Sequence, residues 1–308
     1  MRAGRSLVFI AALLGAAPQA PEPAAQAPSR AFWDHWGDGR AELNGYRLVQ
    51  PRYGAKRTGV AILIYVTEDF SDSLRVKADP GTHPPSDVYP VLKLNLVRDF
   101  QTGIYDYNVM TSTYARVAPG WPLAKVSFSS QEWCGNTYHQ ILPRGDAVLG
   151  TYHSYFDGEA DGTEKLPLPA GGVFEDELPI LLRGWGGAYL KPGEQRSVPF
   201  LPSLLRSRLE HKPLKWGKAT LSRALEGTTL RAPAGPFKVQ AWTVAVEGGP
   251  TIRYSFESDP PYRLVRWSAD TGEEAELLGS TRLAYWKLNG PGGEKYLKEL
   301  GLKVPGPY

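Results

Sequence analysis

The chain reads as a mainly β protein, an antiparallel sheet with a few short helices. Three observations predict this. Stretches of strand length that alternate apolar and polar residues, or run continuously apolar with β-branched side chains, recur along most of the sequence. Their separators, such as Gly-Gly-Pro, Asp-Pro-Pro and Asp-Thr-Gly, are turn formers. Many separators are also too short to carry a helical crossover, so successive strands pair antiparallel.

The chain opens "MRAGRSLVFIAALLGAAPQAPEPAAQAPSR". Arg2 and Arg5 precede an apolar run, Leu7 to Ala17, that is short for a bilayer span and is followed by small residues. Residues 1–27 are therefore expected to be an export signal, or an uncleaved N-terminal anchor, with a Pro/Ala-rich tether reaching about residue 30. Ala17, Ala20 and Ala27 each precede a proline, so no cleavage site stands out. No cysteine lies near the signal to take a lipid. Residues 31–308 are expected to form one sheet domain, with a possible subdivision near 157–172, where "DGEADGTEKLPLPAGG" is rich in turn formers.

Strands are predicted over 59–66, "GVAILIYV", and 91–97, "VLKLNLV", where Leu92, Leu94 and Leu96 share a face. In 103–114, Tyr105, Tyr107 and Val109 oppose Asp106, Asn108 and Met110. Further strands fall at 124–130 and 147–156, then in quick succession at 237–247, 252–258, 262–268, 274–280 and 281–287. Short helices are expected at 174–185, where acidic residues precede an apolar turn, at 202–211 behind Pro202, and at 293–302, stopped by Gly301.

The order of landmarks in the second half resembles the exported bacterial domain of unknown function 3108. "LLRGW", "LKPGEQRSVPF", "GPFKVQAWTVAV", "SDPPYRLVRWSADTGEEAELLGSTRLAYW" and a terminal "YLKELGL" carry the match, through Arg183, Pro192, Gly193, Phe237, Pro260, Arg263, Leu264 and Arg282. The first half, from Trp33 through "YPVLKLNLVRDFQTGIYDYNVMTS", resembles a bacterial envelope subgroup sometimes labelled septum formation inhibitor. The Ser-Pro-Arg-Arg motif of the nucleotide pyrophosphatases that own that label is absent. The resemblance spans about 33–302. It implies a strongly curved antiparallel sheet, a half-barrel similar to the LolA and LolB lipoprotein carriers, with helices against its concave side. Fold alone does not assign a ligand.

Composition excludes several classes. Without Arg2 and Arg5 the 35 basic residues become 33, against at most 32 acidic ones, so there is no basic excess for nucleic acid. One cysteine allows no internal disulfide, and His35, His83, His153 and His211 lack zinc-site spacing. No G-x-S-x-G occurs, the Gly-rich stretches lack the lysine and strand–helix context of phosphate loops, and no cofactor is implied.

What remains is a short set of candidates. Cys134 and His139, in "SSQEWCGNTYHQ", form the thiol–base candidate. The Gln131-x-x-Cys134-Gly135 echo of papain-like proteases lacks the long helix that should follow its nucleophile. A turn at Gly135-Asn136 could bring the pair across a hairpin; the plainer expectation is a small buried thiol packed beside Trp133. Asp157, Glu159 and Asp161 alternate before Gly162 like the start of a calcium loop, but no bidentate glutamate or entering helix follows; a solvated hairpin tip is the plainer expectation. The chain holds nine Trp, sixteen Tyr and ten Phe. A curved sheet could line an apolar cavity with Trp133, Tyr138, Tyr105, Tyr107 and Trp242, and a filled β core is the alternative.

The leading expectation is an exported envelope protein of periplasm or cell envelope that binds a lipid, acyl chain or partner protein in a concave apolar face. A Cys/His-dependent hydrolase or thiol enzyme is the second reading, and a structural module that pairs its sheet edge with an envelope protein is the third. Membrane contact is expected only through an uncleaved N-terminal segment.

Overall fold

The computed structural model describes residues 28–304. The signal or anchor expected over residues 1–27 lies outside them. In chain order the described strands are β1 (Ala41–Arg52), β2 (Ala55–Ser71), β3 (Val88–Thr102), β4 (Tyr105–Arg116), β5 (Leu123–Glu132), β6 (Gly135–Arg144), β7 (Ala147–Ser154) and β8 (Asp161–Pro167). There follow β9 (Val173–Phe174), β10 (Gln195–Leu201), β11 (Gly217–Arg223), β12 (Thr228–Ala232), β13 (Gly235–Val246), β14 (Thr251–Glu257), β15 (Leu264–Ala269) and β16 (Glu274–Leu283). The α-helices are α1 (Arg30–Trp36), α2 (Leu178–Leu181) and α3 (Leu204–Glu210).

All sixteen strands belong to one sheet. Its order runs from β8 back to β1, crosses to β16, and continues through β15, β14, β13, β11 and β10 to β9, with β12 beside β13. Every pairing is antiparallel except β9 with β10. The sheet is large, curved and open, with β8 and β9 as its edges. It is not the LolA/LolB-like half-barrel. Stretches without a predicted strand, 161–167, 195–201 and 217–223, supply β8, β10 and β11 and extend the sheet at both ends. The turn-rich stretch 157–172 contains β8, paired with β7 from Ala147↔Pro167 to His153↔Asp161.

Both faces of the central strands are covered, which explains the unbroken apolar run in β2. Ala61, Leu63 and Tyr65 point into the main core on the concave face. Ile62 and Ile64 point outward against Leu297 and Leu300 of the C-terminal 3₁₀ segment Gly293–Leu300. A strand buried on both faces has no reason to alternate. The predicted helix at 174–185 appears as the 3₁₀ turn Glu175–Glu177 leading into α2, and 202–211 holds α3. Ser203 caps α3 by accepting from the Arg206 N–H at 3.2 Å.

The sheet's two rims differ. At one rim α1 and the loops beside it form an aromatic plug: the Phe32 ring is 5.2 Å from Trp121 and 6.0 Å from Trp185, and Trp185 is 5.4 Å from Tyr262. The opposite rim carries the hairpin turns that follow β1, β3, β5 and β7, because alternate antiparallel strands end on the same side. The segment 202–216, containing α3, crosses that second rim between β10 and β11.

Candidate functional site

The inward face of β3 runs Leu92, Leu94, then partly buried Leu96, Arg98 and Phe100. One charged residue in an otherwise apolar file marks a cavity of about 320 Å³ between the sheet and α3. Leu63, Leu94, Leu96, Leu205, Ile252 and Leu264 form its apolar wall. Its lining reaches the second rim at exposed Tyr53 and Glu210. Ligand cavities of roughly 300–1,000 Å³ with a few convergent polar groups are the usual form of a small-molecule site.

The polar groups gather on one side. Arg98 reaches Glu273 at 3.4 Å, and the Trp267 indole N–H donates to the same carboxylate at 2.8 Å. Arg206 holds Glu175 with two hydrogen bonds, at 3.2 and 2.6 Å. Asp176 accepts from the Leu204 N–H at 2.9 Å; its burial raises the carboxyl to about 7, with the neighbouring Glu175 charge adding to the rise. Three further polar atoms in the wall have no protein partner: Gln50 Oε1, Arg98 Nε and Thr111 Oγ1. Gln50, Arg98 and Thr111 are 3%, 8% and 3% exposed. Buried polar atoms are ordinarily paired, because each unpaired one costs on the order of 1–3 kcal/mol.

Helix α3 separates this cavity from a second one. Leu205, Arg206, Leu209 and Glu210 face the first, whereas Leu204, Ser207 and Arg208, with the cap residue His211, face a cleft of about 260 Å³ against β6 and β7. Spacings of three and four residues put these two sets on separate helix faces. Arg208 pairs with Glu132 at 2.7 Å, and the Arg52 guanidinium donates to the Leu209 carbonyl at 3.0 Å. These contacts anchor the helix at the rim.

Cys134 and His139 are not brought together. The hairpin turn consists of Trp133 and Cys134, because Glu132 pairs with Gly135, and His139 lies across from Phe128. Cys134 is exposed, correcting the expected packed thiol. His139 Nε2 instead meets Glu164 Oε1 at 2.7 Å in the second cleft. The three acids also separate. Asp157 is exposed and Asp161 lies 3.3 Å from His153. Glu159 takes Ser154 Oγ at 2.5 Å and His211 Nδ1 at 2.6 Å. Burial would raise the Glu159 carboxyl, but the hydrogen bonds from Ser154 and His211 and the Arg208 charge hold it below the usual range. Ser154 gives its proton to a carboxylate and not to an imidazole, so Ser154, Glu159 and His211 do not form a nucleophile relay. Among the described residues no cluster of His, Cys, Asp and Glu is placed to hold a metal ion.

The aromatic candidates divide in the same way. Trp242 is buried in the core, and Tyr138 borders the second cleft. Tyr105, Tyr107 and Trp133 do come together, but at the rim: Tyr105 is 6.0 Å from Tyr107 and 6.5 Å from Trp133. No motif marks the cavity residues; their one readable signal in the sequence is the interruption of the inward leucine file by Arg98.

No family model matches the chain, and no curated protein matches it. Among solved structures it is similar to a β-barrel-like protein of domain of unknown function 1849 from Brucella abortus. The two are 11% identical, the match covers 79% of this chain and 98% of that one, and the TM-score is 0.44. The absence of any matching family model corrects the resemblance to domain of unknown function 3108.

Proposed function

We propose that this protein is an exported, non-enzymatic binding protein of the cell envelope, and that its cavity takes a small amphiphilic molecule. The observation that carries this reading is the pairing of an aliphatic wall with buried, unpartnered Gln50 Oε1, Arg98 Nε and Thr111 Oγ1. An apolar chain would lie along Leu63, Leu94 and Leu264. A head group that both donates and accepts hydrogen bonds would satisfy the three polar atoms. Glu175 and Glu273 already neutralise Arg206 and Arg98, and Asp176 titrates near neutrality, so the site favours an uncharged head over a strong anion. The thiol-enzyme reading has no geometry behind it, since Cys134 and His139 face different surroundings.

The test is native mass spectrometry of the protein isolated from its own envelope, paired with titration of medium-chain alcohols, monoglycerides and fatty acids against a polarity-sensitive fluorophore. A bound amphiphile, with uncharged heads displacing the fluorophore better than carboxylates, is the expected result. A protein of bare mass that takes up none of these ligands saturably would overturn the proposal.

A further inference from the structure

We infer that the rim at the cavity mouth docks on a lipid surface, through side chains carried by successive hairpin turns. Tyr53 sits on the turn after β1, Ile104 after β3, Trp133 after β5 and Tyr155 after β7. They are 56%, 82%, 70% and 74% exposed, a large apolar exposure for one edge of a protein. Neighbouring strands lie roughly 4.8 Å apart, so consecutive turns stand about 10 Å apart and the row extends roughly 30 Å.

The row is built, not scattered. The Tyr53 and Tyr107 hydroxyls meet at 2.7 Å, Arg52 lies 4.2 Å over the Tyr53 ring, and Tyr107 and Tyr105 continue the line to Trp133. The Tyr155 ring lies so close over Gly135 that a Cβ there would come within 2.5 Å of it. Tyr53 has φ +53, a left-handed conformation that a bulky residue adopts at a cost of roughly 1–3 kcal/mol. Gly54 beside it is also left-handed, at φ +70, so both central residues of this turn take that conformation and an aromatic residue holds one of them.

The chemistry of the row points to lipid. Exposed Gln101, Gln131, Asn136 and Asp157 lie among the aromatic turns, so polar side chains interleave with the projecting apolar ones along the rim. A deformable interface can take such a comb, whereas a protein partner needs a continuous complementary surface. Tyr and Trp, with an apolar ring and a polar edge, concentrate at the level of lipid head groups. Arg52 and Tyr53 also line the cavity, so an amphiphile leaving a bilayer under this rim would meet the mouth directly. That last step rests on the cavity reading; the docking itself does not.

Cys134, exposed beside Trp133, provides the probe. The full chain would carry an environment-sensitive maleimide at Cys134, or at position 146 in a Cys134→Ser, Asp146→Cys variant, on the turn between β6 and β7 at the opposite rim. Phosphatidylcholine vesicles containing a shallow nitroxide lipid should quench the first label several-fold more than the second. The variant Ile104→Ser/Trp133→Ser/Tyr155→Ser should partition about tenfold more weakly. Equal quenching at both positions, as an N-terminal anchor alone would produce, or no quenching at either, as a protein partner would produce, overturns the docking proposal. Quenching at Cys134 in a protein that binds no amphiphile would leave docking intact and sink the cavity reading alone. The reverse pattern would do the opposite.

Discussion

The Arg183 guanidinium and the Glu42 carboxylate meet at 2.8 Å with both side chains cut off from solvent, joining the segment after α2 to β1. Arg183 also donates to the carbonyls of Pro261 at 2.8 Å and Tyr262 at 3.1 Å, and lies 4.3 Å over the Tyr65 ring. Burial alone would raise the Glu42 carboxyl; the Arg183 charge, the His35 ring 3.7 Å away and hydrogen bonds from Arg183 and Asn44 bring it down to about 2. This arginine thus ties three separate stretches of chain together behind the aromatic plug, and so fixes the closed end of the sheet.

Breaking that pair should be costly, because the surviving charge stays buried. Arg183→Met is expected to lose about 3–5 kcal/mol, measured as a shift in the urea unfolding midpoint. The double variant Arg183→Met/Glu42→Gln should recover a good part of it. A single variant within 1 kcal/mol of the parent would show that Glu42 finds another partner or water.

Stability should peak in mildly acidic solution. The Glu42 carboxyl titrates near 2 in the fold against about 4.5 when unfolded. Its contribution is therefore full above about 4.5 and is lost as pH falls toward 2, an effect of about 3 kcal/mol. Asp176 and Glu177 run the other way, since burial raises them to about 7 and about 8. Between about 4 and 8 the unfolded chain holds fewer protons than the native one, so stability declines as pH rises. Asp176→Asn should flatten that decline in urea titrations at pH 5, 6.5 and 8. Equal midpoints for the parent at pH 5 and 8 would refute the assignment.

How far the sequence carried these conclusions depended on whether local pattern or distant packing decided each element. Leu92, Leu94 and Leu96 alternate because one face of β3 meets the core, so that strand was legible, as were α3 behind Pro202 and the stop at Gly301. β10 and β11 were not. "QRSVPFL" carries an internal proline, and "GKATLSR" has few apolar residues to mark it. Their identity comes from pairing with each other and with β9 and β13. The site was legible in fragments. Tyr105, Tyr107 and Trp133 were grouped, but the side of the sheet on which they would lie depends on the Trp133–Cys134 turn. A Gly135-Asn136 turn was the stronger local signal, and the Glu132↔Gly135 register overrode it. The cavity needs residues from β1, β3, β4 and α3, which only the folded sheet brings together.

The C-terminal 3₁₀ segment should be dislodged by a single methyl group. Gly45 and Gly279 lie directly opposite each other on β1 and β16. A Cβ on Gly45 would come within 2.2 Å of the Leu300 carbonyl, and one on Gly279 within 2.4 Å of the Glu299 carbonyl. Gly279→Ala is expected to cost about 1–3 kcal/mol and to release the segment, uncovering Ile62 and Ile64. Limited proteolysis would read this as early cleavage near Lys295 and Lys298. An unchanged digestion pattern would mean that the backbone yields at little cost.

The cavity should show opposed effects on stability and binding. Gln50 Oε1 and Thr111 Oγ1 are buried without a partner, so the ligand-free protein bears their desolvation. Gln50→Leu and Thr111→Val remove those atoms at similar volume and should each raise the stability of ligand-free protein by about 1 kcal/mol. The same changes take away hydrogen bonds to the head group and should weaken amphiphile binding roughly 5- to 30-fold. Thermal unfolding and fluorophore displacement on the same samples would compare the two. A residue that merely fills the core would lose stability with no selective effect on binding, so a stabilised variant with impaired uptake is the result that separates a binding site from packing.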